Sequence, residues 1–319
     1  MQDKKLLELI ETTSELLDLE DFVIEKDYYV TQVIHALSGL ENEYFRLVFA
    51  GGTCLAKAHK IVKRMSEDVD FKIQVKKINE SFSKTRLLKE LKEFRSYIQS
   101  KLIIPNLITG EPRVRNEGQY SLIEIGYPSF FPQNTKLRSH ILLEFTVSQI
   151  RLSIEGLSVR TLIEETLENV VVFPKVETQC ISVGETAIEK WVGLTRRIMA
   201  IERGYHHDDK TLIRHVYDLN AIKKMNKIND NFFVLAKAIV NHDAKQFKNQ
   251  HPEYSDDPGA EINRSLDLLK SKSHWKERYQ EFIETMVYDS NSVLAYESAI
   301  EILDRLSEEV IDSLYLETA

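Results

Sequence analysis

Residues 49–73 of the chain read FAGGTCLAKAHKIVKRMSEDVDFKI, and this stretch decides the fold. The apolar run FRLVFA (45–50) predicts a strand, and the glycine pair after it predicts a tight turn into a helix with the sequence LAKAHKIVKR (55–64). The segment EDVDFKIQV (67–75) alternates polar with apolar residues, which predicts a half-buried strand that begins with carboxylates. The predicted order is strand, glycine turn, helix, strand.

Two aspartates on the second strand, Asp68 and Asp70, are separated by one residue and therefore project from the same face. Their charges repel unless a cation lies between them, and oxygen ligands of this kind favour Mg²⁺. The glycine turn offers backbone N–H groups and the positive end of a helix, which suit a polyphosphate. Taken separately, paired acids on a strand are common on solvated surfaces, and a Gly-Gly turn is usually only a turn.

The combination is more specific than its parts. A strand, Gly51-Gly52-Thr53, a helix and Asp68-x-Asp70 resemble the start of polymerase-β-like nucleotidyltransferases. The stretch 49–73 also resembles the GGT-x-L... R-x-SEDxD signature of the AbiEii-type nucleotidyltransferase toxins, found in type IV toxin–antitoxin and phage-defence pairs. EKDYYVTQVIHAL (25–37) looks like the N-terminal helix of that family. ETAIEKWVGLTRR and RHVYDL, within 185–219, look like its second motif, a lysine on one helix followed by R-x-x-x-D-L on the next.

This resemblance covers roughly residues 20–225 and implies roles for individual residues. Asp68 and Asp70 would hold Mg²⁺, and Lys190 and Asp218 match the catalytic lysine and aspartate of the second motif. The residues assigned to NTP binding are Gly51, Gly52, Thr53, Arg64, Ser66 and Arg214. Without the motif, Lys190 would be interpreted as an exposed helix lysine and Asp218 as an i,i+4 partner of Arg214.

A third carboxylate stands within the apolar strand SHILLEFTV (139–147), where a buried charge is unfavourable. In polymerase-β-like nucleotidyltransferases, which this sequence resembles, such a carboxylate often completes the metal site or takes the proton of the acceptor hydroxyl. Glu144 is the candidate and Glu124 its competitor, and both acids face solvent in the other interpretation. The roles of Arg64 and Ser66 also have two interpretations. Arg64 binds phosphate and Ser66 positions Asp68 in one of them, and both belong to a purely structural turn in the other.

Composition and charge limit the class of protein. The 319 residues are 43% hydrophobic and 29% charged, which excludes collagen-like, mucin-like and wholly disordered chains. The net charge is -8, yet residues 57–101 hold thirteen Lys or Arg against six acids, a net of +7, whereas residues 251–319 sum to -10. Two solvated helix faces of opposite sign explain this division, and a phosphate-facing surface at 57–101 is the functional alternative.

Cys54 and Cys180 are expected to be reduced, buried thiols.

We expect an α+β fold. A polymerase-β-like nucleotidyltransferase core, a mixed sheet with flanking helices and N-terminal helices, is predicted over 1–183. A helical C-terminal lobe that contributes the second motif is predicted over 184–319. Short apolar runs predict a further strand at 170–174, and HPEYSDDPGA (251–260) predicts a loop. No apolar run approaches the roughly 18 residues of a membrane span, so we expect a cytoplasmic protein.

The resemblance implies an Mg²⁺-dependent enzyme that moves a nucleoside monophosphate from an NTP to an acceptor hydroxyl and releases pyrophosphate. The implied acceptor is RNA, particularly the 3′ end of tRNA, and the implied role is a growth-arresting toxin or phage-defence effector with a cognate antitoxin. A small molecule or a protein is the alternative acceptor. A catalytically idle module that binds RNA or a partner through the basic helix 81–103 is the alternative function. Sequence does not choose among the NTPs.

Overall fold

A computed structural model describes residues 3–76, 83–131, 137–228, 230–289 and 293–315 of the chain. The chain forms two compact units. The first comprises Met1–Lys60 and Met65–Ser182, and the second comprises Ile61–Arg64 and Val183–Ala319. Residues 81 and 82, where the basic helix is predicted to begin, lie outside the described ranges.

The first unit is built around one mixed sheet. Its strands within the described residues are β1 (Phe45–Ala50), β2 (Asp68–Val75), β3 (Ile108–Thr109), β4 (Arg113–Arg115), β5 (Tyr120–Gly126), β6 (His140–Val147), β7 (Glu155–Ser158) and β8 (Glu177–Cys180). The strand order is β3-β5-β6-β2-β1-β8-β7, with β4 paired to β5. Strand β2 runs parallel to β6 and β1 runs parallel to β8, and the other pairs are antiparallel. The predicted mixed sheet is confirmed.

Helices flank this sheet. They are α1 (Asp3–Leu17), α2 (Asp21–Leu37), α3 (Gly51–Lys57), α4 (Lys84–Lys101) and α5 (Leu162–Thr166). Helix α4 begins where the Ser83 hydroxyl accepts a hydrogen bond from the Arg86 amide, at 3.3 Å. Its buried side chains face the sheet, and the ring of Phe94 lies 5.3 Å from that of Phe45.

The two faces of the sheet differ in chemistry. Along β2, Val69, Phe71 and Ile73 are buried on one face, and by strand alternation Asp68, Asp70 and Lys72 lie on the other. Helix α4 packs on the apolar face. Its residues line a cavity of about 190 Å³ together with Ile123 and Phe145, and Phe145 is registered with Phe71 on that face. The basic helix therefore lies on the face opposite the carboxylates. The expectation that residues 57–101 form one phosphate-facing surface across the site is wrong for this helix.

The second unit is helical, as predicted. Its helices within the described residues are α6 (Val183–Glu202), α7 (Arg214–Lys224), α8 (Asp230–Gln246), α9 (Pro252–Asp256), α10 (Pro258–Ser271), α11 (Ser273–Met286) and α12 (Tyr296–Tyr315). Trp191 is fully buried in its core and donates its indole N–H to the Ser307 hydroxyl at 2.8 Å, which links α6 to α12. Among the described residues no helix is long and apolar enough to span a bilayer.

The helix predicted over 55–64 is wrong beyond Lys57. Lys60 has a φ of 56°, in the left-handed region, which an α-helix does not continue through. The residues that follow belong to the second unit, where Lys63 accepts a hydrogen bond from the Tyr288 amide at 3.2 Å and Arg64 forms a bridge with Val287. Local helical spacing was overridden by pairing with a distant segment.

Two other predicted elements are also wrong. The run at 170–174 is not a strand, because the Val172 and Phe173 amides donate to the Glu164 carboxylate at 3.0 and 3.3 Å instead of to a ladder. The segment 251–260 is not a loop but starts two helices. Pro252 and Pro258 stand at or next to their first helical positions, where a missing N–H leaves no hydrogen bond unmade.

Candidate active site

Parallel pairing of β2 with β6 brings the acidic residues of the first unit together. Asp70 is registered with Glu144, and Asp68 is registered with Leu142 two positions earlier. Because side chains alternate along a strand, Asp68, Asp70 and Glu144 share one face of the sheet. The structure thus brings together the two predicted metal ligands and the predicted third carboxylate.

A tyrosine that the sequence did not single out contacts Glu144. Burial and a hydrogen bond from its hydroxyl to the Glu144 carboxylate raise the pKa of Tyr120 to about 12. Tyr120 therefore stays protonated near neutral pH and can keep donating to Glu144. A tyrosine at the start of a strand carries no sequence signal that distinguishes it from a packing residue.

The competing acid, Glu124, lies on β5, one strand further from β2. Its carboxylate pairs with Arg113 at 2.7 Å, and both side chains are exposed. It is registered with Leu142, whereas Glu144 is registered with Asp70 itself. Glu144 is therefore the acid that the fold sets beside the aspartate pair.

Gly51 makes room for the Asp70 carboxylate. Its φ is 75°, and a Cβ placed on it would lie 1.9 Å from Asp70 Oδ2 and 2.9 Å from Asp70 Cβ. A side chain at position 51 would therefore displace Asp70. Gly51 and Gly52 form the first turn of α3 directly after β1, and both are partly exposed.

Thr53 is turned inward rather than toward solvent. It is fully buried, and its hydroxyl donates to the backbone carbonyl of Asp68 and is hydrogen-bonded to the Ser66 hydroxyl at 2.7 Å. Both side chains therefore fix the start of β2 against α3. This geometry favours a positioning role for Thr53 and Ser66.

Two cations outside the predicted set pair with Asp68 and with its neighbour Glu67. The Arg138 guanidinium forms an ion pair with the Asp68 carboxylate. Lys26, which is fully buried, forms an ion pair with Glu67 at 2.7 Å. The sequence feature that could have indicated Lys26 is EKD at 25–27, three consecutive charges in a largely apolar helix. Arg138 has no comparable signal.

The second unit holds an ion cluster built from the second motif. Arg64 donates through Nε and Nη2 to the two carboxylate oxygens of Asp218, at 2.7 and 2.8 Å. Lys190 Nζ lies 2.8 Å from Asp218 Oδ2. Asp218 is fully buried, and Arg64 and Lys190 are nearly so. Burial alone would raise the pKa of Asp218, but these two cations hold it well below its usual range.

This cluster decides between the interpretations left open by the sequence. Lys190 is a buried ion-pair partner and not an exposed helix lysine. Asp218 pairs with Arg64 and Lys190, whereas Arg214 donates from Nε to the Thr211 carbonyl at 3.2 Å. Arg64 thus braces Asp218, and its pairing partner lies 154 residues further along the chain.

The neighbouring His215 is uncharged near neutral pH. Burial, with the charge of Lys190, lowers the pKa of His215 well below its usual value. Within the part of the chain that the structure describes, its Nδ1 is buried without a hydrogen-bond partner.

The donor set of the first unit fits a hard cation. Asp68, Asp70 and Glu144 offer only carboxylate oxygens, which Mg²⁺ prefers to nitrogen or sulfur. Among the described residues no three His, Cys, Asp or Glu side chains converge closely enough to hold an ion by themselves. Mg²⁺ commonly takes one or two carboxylates and completes its shell with water and substrate phosphates. The residues therefore fit a cation that is shared with a phosphate ligand.

Comparisons with known proteins give a family match and a structural similarity. A sequence model of the family described as "Nucleotidyl transferase AbiEii toxin, Type IV TA system" matches residues 36–305. Among solved structures, the chain is similar to MenT4, a nucleotidyltransferase toxin from Mycobacterium tuberculosis H37Rv. That similarity has 13% sequence identity and a TM-score of 0.41, over 92% of this chain and 98% of that chain. A search of curated proteins finds no match.

Gly51→Ala should destabilise the protein more than Gly39→Ala. Both glycines have positive φ, but a Cβ on Gly39 meets nothing within 4 Å. Gly39→Ala should therefore lose only about 1–2 kcal/mol from backbone strain. Gly51→Ala should lose a further 1–3 kcal/mol or so, because Asp70 must move. Urea unfolding of the two variants measures this difference, and equal losses would contradict the assigned contact.

Asp218→Asn should lower the free energy of unfolding by about 3–5 kcal/mol at pH 7, because it leaves two buried cations with a neutral partner. The matched control is Asp208→Asn, which breaks the pair of the half-exposed Asp208 carboxylate with Arg278 and should lose about 1 kcal/mol or less.

The same cluster predicts a pH dependence. Since the folded pKa of Asp218 is lowered, its contribution is present above its ordinary unfolded pKa of about 3.9 and is lost as the pH falls below that value. The stability difference between the wild type and Asp218→Asn should therefore narrow below about pH 4. A difference that stays constant there would argue against a charged Asp218 as its source.

Proposed function

Because the chain belongs to the AbiEii nucleotidyl transferase toxin family of type IV toxin–antitoxin systems, we propose that it transfers a nucleoside monophosphate from an NTP to an acceptor hydroxyl. The acceptor oxygen forms a bond to the α-phosphorus. The bond from that phosphorus to the β-phosphate oxygen breaks, and pyrophosphate leaves with the electron pair. The proton of the acceptor hydroxyl passes to a carboxylate of the site.

The observation that carries this proposal is the shared face of three carboxylates beside the glycine turn. Asp68 and Asp70 are the residues that would hold Mg²⁺, and Glu144, set beside Asp70, is the base that accepts the hydroxyl proton. When bound, the metal supplies positive charge to the triphosphate. Gly51 contributes by admitting the Asp70 carboxylate to this position.

The two motifs suggest the remaining roles in the proposed reaction. Gly51 and Gly52 present the partly exposed turn that receives the triphosphate. Lys190 supplies a cation for phosphate charge, as positioned charges do in phosphoryl-type transfer. Asp218 orients Lys190 through their 2.8 Å contact, and Arg64 holds Asp218 from its other side. Arg214 is kept as an NTP-binding candidate on the motif alone.

We propose RNA, specifically the 3′ end of tRNA, as the acceptor, which would block aminoacylation and arrest growth, whether in a toxin–antitoxin pair or in phage defence. Support for this acceptor comes from the family and not from the basic helix, since α4 lies on the other face of the sheet. Family membership also supports a cognate antitoxin as a partner. The proposed location is the cytoplasm, where NTPs and tRNA occur together.

Purified protein incubated with Mg²⁺, total cellular RNA and each of four α-³²P-labelled NTPs should label tRNA-sized RNA. Asp70→Asn should reduce that label to background, because it removes a charge from the proposed metal ligands. Asp208→Asn, the same substitution at a half-exposed aspartate outside the proposed site, should label as the wild type does.

Other outcomes of this experiment each exclude part of the proposal. Label on protein or small molecules but not RNA would reject the RNA acceptor and keep the transferase activity. An equal signal from Asp70→Asn would reject the carboxylate site. Absence of any transfer would favour a module that binds RNA or a partner without turnover.

Glu144→Gln and Glu124→Gln separate the two candidate bases. Loss of a general base typically lowers a rate by about 100-fold or more, so Glu144→Gln should lower kcat by that amount. Glu124→Gln removes only an exposed partner of Arg113 and should leave kcat within about threefold. The initial rate of labelled transfer measures both, and a larger effect at Glu124 would reassign the base.

A further inference from the structure

Arg138, which pairs with the side chain of Asp68, lies in the segment directly before β6. Its guanidinium forms an ion pair with the Asp68 carboxylate. Asp68 is one of the two proposed metal ligands, so Arg138 neutralises a carboxylate that a divalent ion would need. An arginine at such a position either blocks the site or takes part in it.

The backbone of Arg138 is fixed by a buried ion pair. Its amide N–H donates to Glu67 Oε1 at 2.6 Å, and its carbonyl accepts from Lys26 Nζ at 2.7 Å. Lys26 and Glu67 are themselves paired at 2.7 Å. Lys26 has no exposed surface, and burial lowers its pKa while Glu67 opposes that shift. Desolvating this pair is unfavourable, and its hydrogen bonds hold one backbone position beside the carboxylates.

The side chain of Arg138, in contrast, is accessible. It is 38% exposed, and that of Asp68 is 26% exposed. Ion pairs with this degree of exposure contribute little, and water or another ligand can replace either partner. Arg138 therefore combines a fixed backbone with a long, exchangeable cationic side chain at the carboxylate face.

We propose that Arg138 binds the triphosphate of the nucleotide and pairs with Asp68 only while the nucleotide and its cation are absent. The planar guanidinium offers two parallel N–H donors, which match the oxygens of a phosphate better than a lysine does. On binding, Arg138 releases Asp68 to the divalent cation and donates to the phosphates. This inference rests on the proposed function.

Arg138→Gln should change two affinities in opposite directions. Without nucleotide, Mn²⁺ should bind up to about fivefold more tightly by electron paramagnetic resonance, because a competing cation has been removed from Asp68. Inorganic tripolyphosphate, measured calorimetrically with Mg²⁺ present, should bind about tenfold more weakly or worse, because charge-assisted hydrogen bonds are lost. Because tripolyphosphate has no nucleobase, the test does not depend on which NTP the protein uses.

Two variants control for charge and for geometry. Arg113→Gln removes an equal charge from an exposed pair on the same sheet and should leave both affinities unchanged. Arg138→Lys keeps the charge without the paired donors and should restore part of the tripolyphosphate affinity.

The remaining outcomes overturn the inference in distinguishable ways. Tighter Mn²⁺ with unchanged or tighter tripolyphosphate would mean that Arg138 only occupies Asp68, and no change in either affinity would mean that the pair has no part in binding. If the wild type binds neither Mn²⁺ nor tripolyphosphate, the proposed function fails together with the inference. Suppose that the wild type binds Mn²⁺ and tripolyphosphate and that Asp68→Asn no longer binds Mn²⁺. Unchanged affinities in Arg138→Gln would then reject the role of Arg138 and leave the proposed function intact.

Discussion

Like charges on one face of a sheet repel, and the parallel pairing of β2 with β6 places several carboxylates on the same face. The register sets Asp70 beside Glu144, with Asp68 on the same face. Each surrounding feature can be understood as a response to this crowding. Tyr120 donates to one carboxylate and Arg138 neutralises another. Such a concentration of negative charge does not help the sheet to form, which is why it points to a ligand that carries positive charge.

Three consecutive charges on α2 organise the backbone around this face. Glu25 accepts from the Ser129 hydroxyl and, at 2.7 Å, from the Phe130 amide. Lys26 holds the segment before β6, and Asp27 links the end of α3 to the start of α5. A helix that is otherwise buried thereby fixes four separate segments by charge. Apolar packing alone would not specify their positions so closely, because it is not directional.

The sequence predicted those parts of the site that lie close together along the chain. The glycine turn, Asp68 and Asp70 fall within twenty residues, and strand alternation alone places both aspartates on one face. Choosing Glu144 over Glu124 required the register of β6 against β2, which pairs residues more than seventy positions apart. Arg138 was missed because a single arginine before a strand has no pattern. Its significance comes from three partners that are distant in sequence.

Helical spacing was the least reliable guide where a segment joins distant residues. LAKAHKIVKR has a convincing helical pattern, yet its second half bonds to residues 287 and 288. The basic pattern of α4 was interpreted correctly as a helix, but composition cannot tell which face of a sheet a helix covers. That information lies in the contacts of Phe94 with Phe45, on the apolar face.

The four residues 61–64 belong to the helical unit although the chain on both sides of them belongs to the sheet unit. The two units are therefore not consecutive pieces of the gene. A single cut after Ser182 would leave Asp218 without Arg64, its bidentate partner. Replacing residues 183–319 with a sequence that has no acid at position 218 would break the same contact. A substitution at Arg64 or Asp218 alone would leave a buried charge short of a partner, so the two positions are constrained jointly although 154 residues separate them.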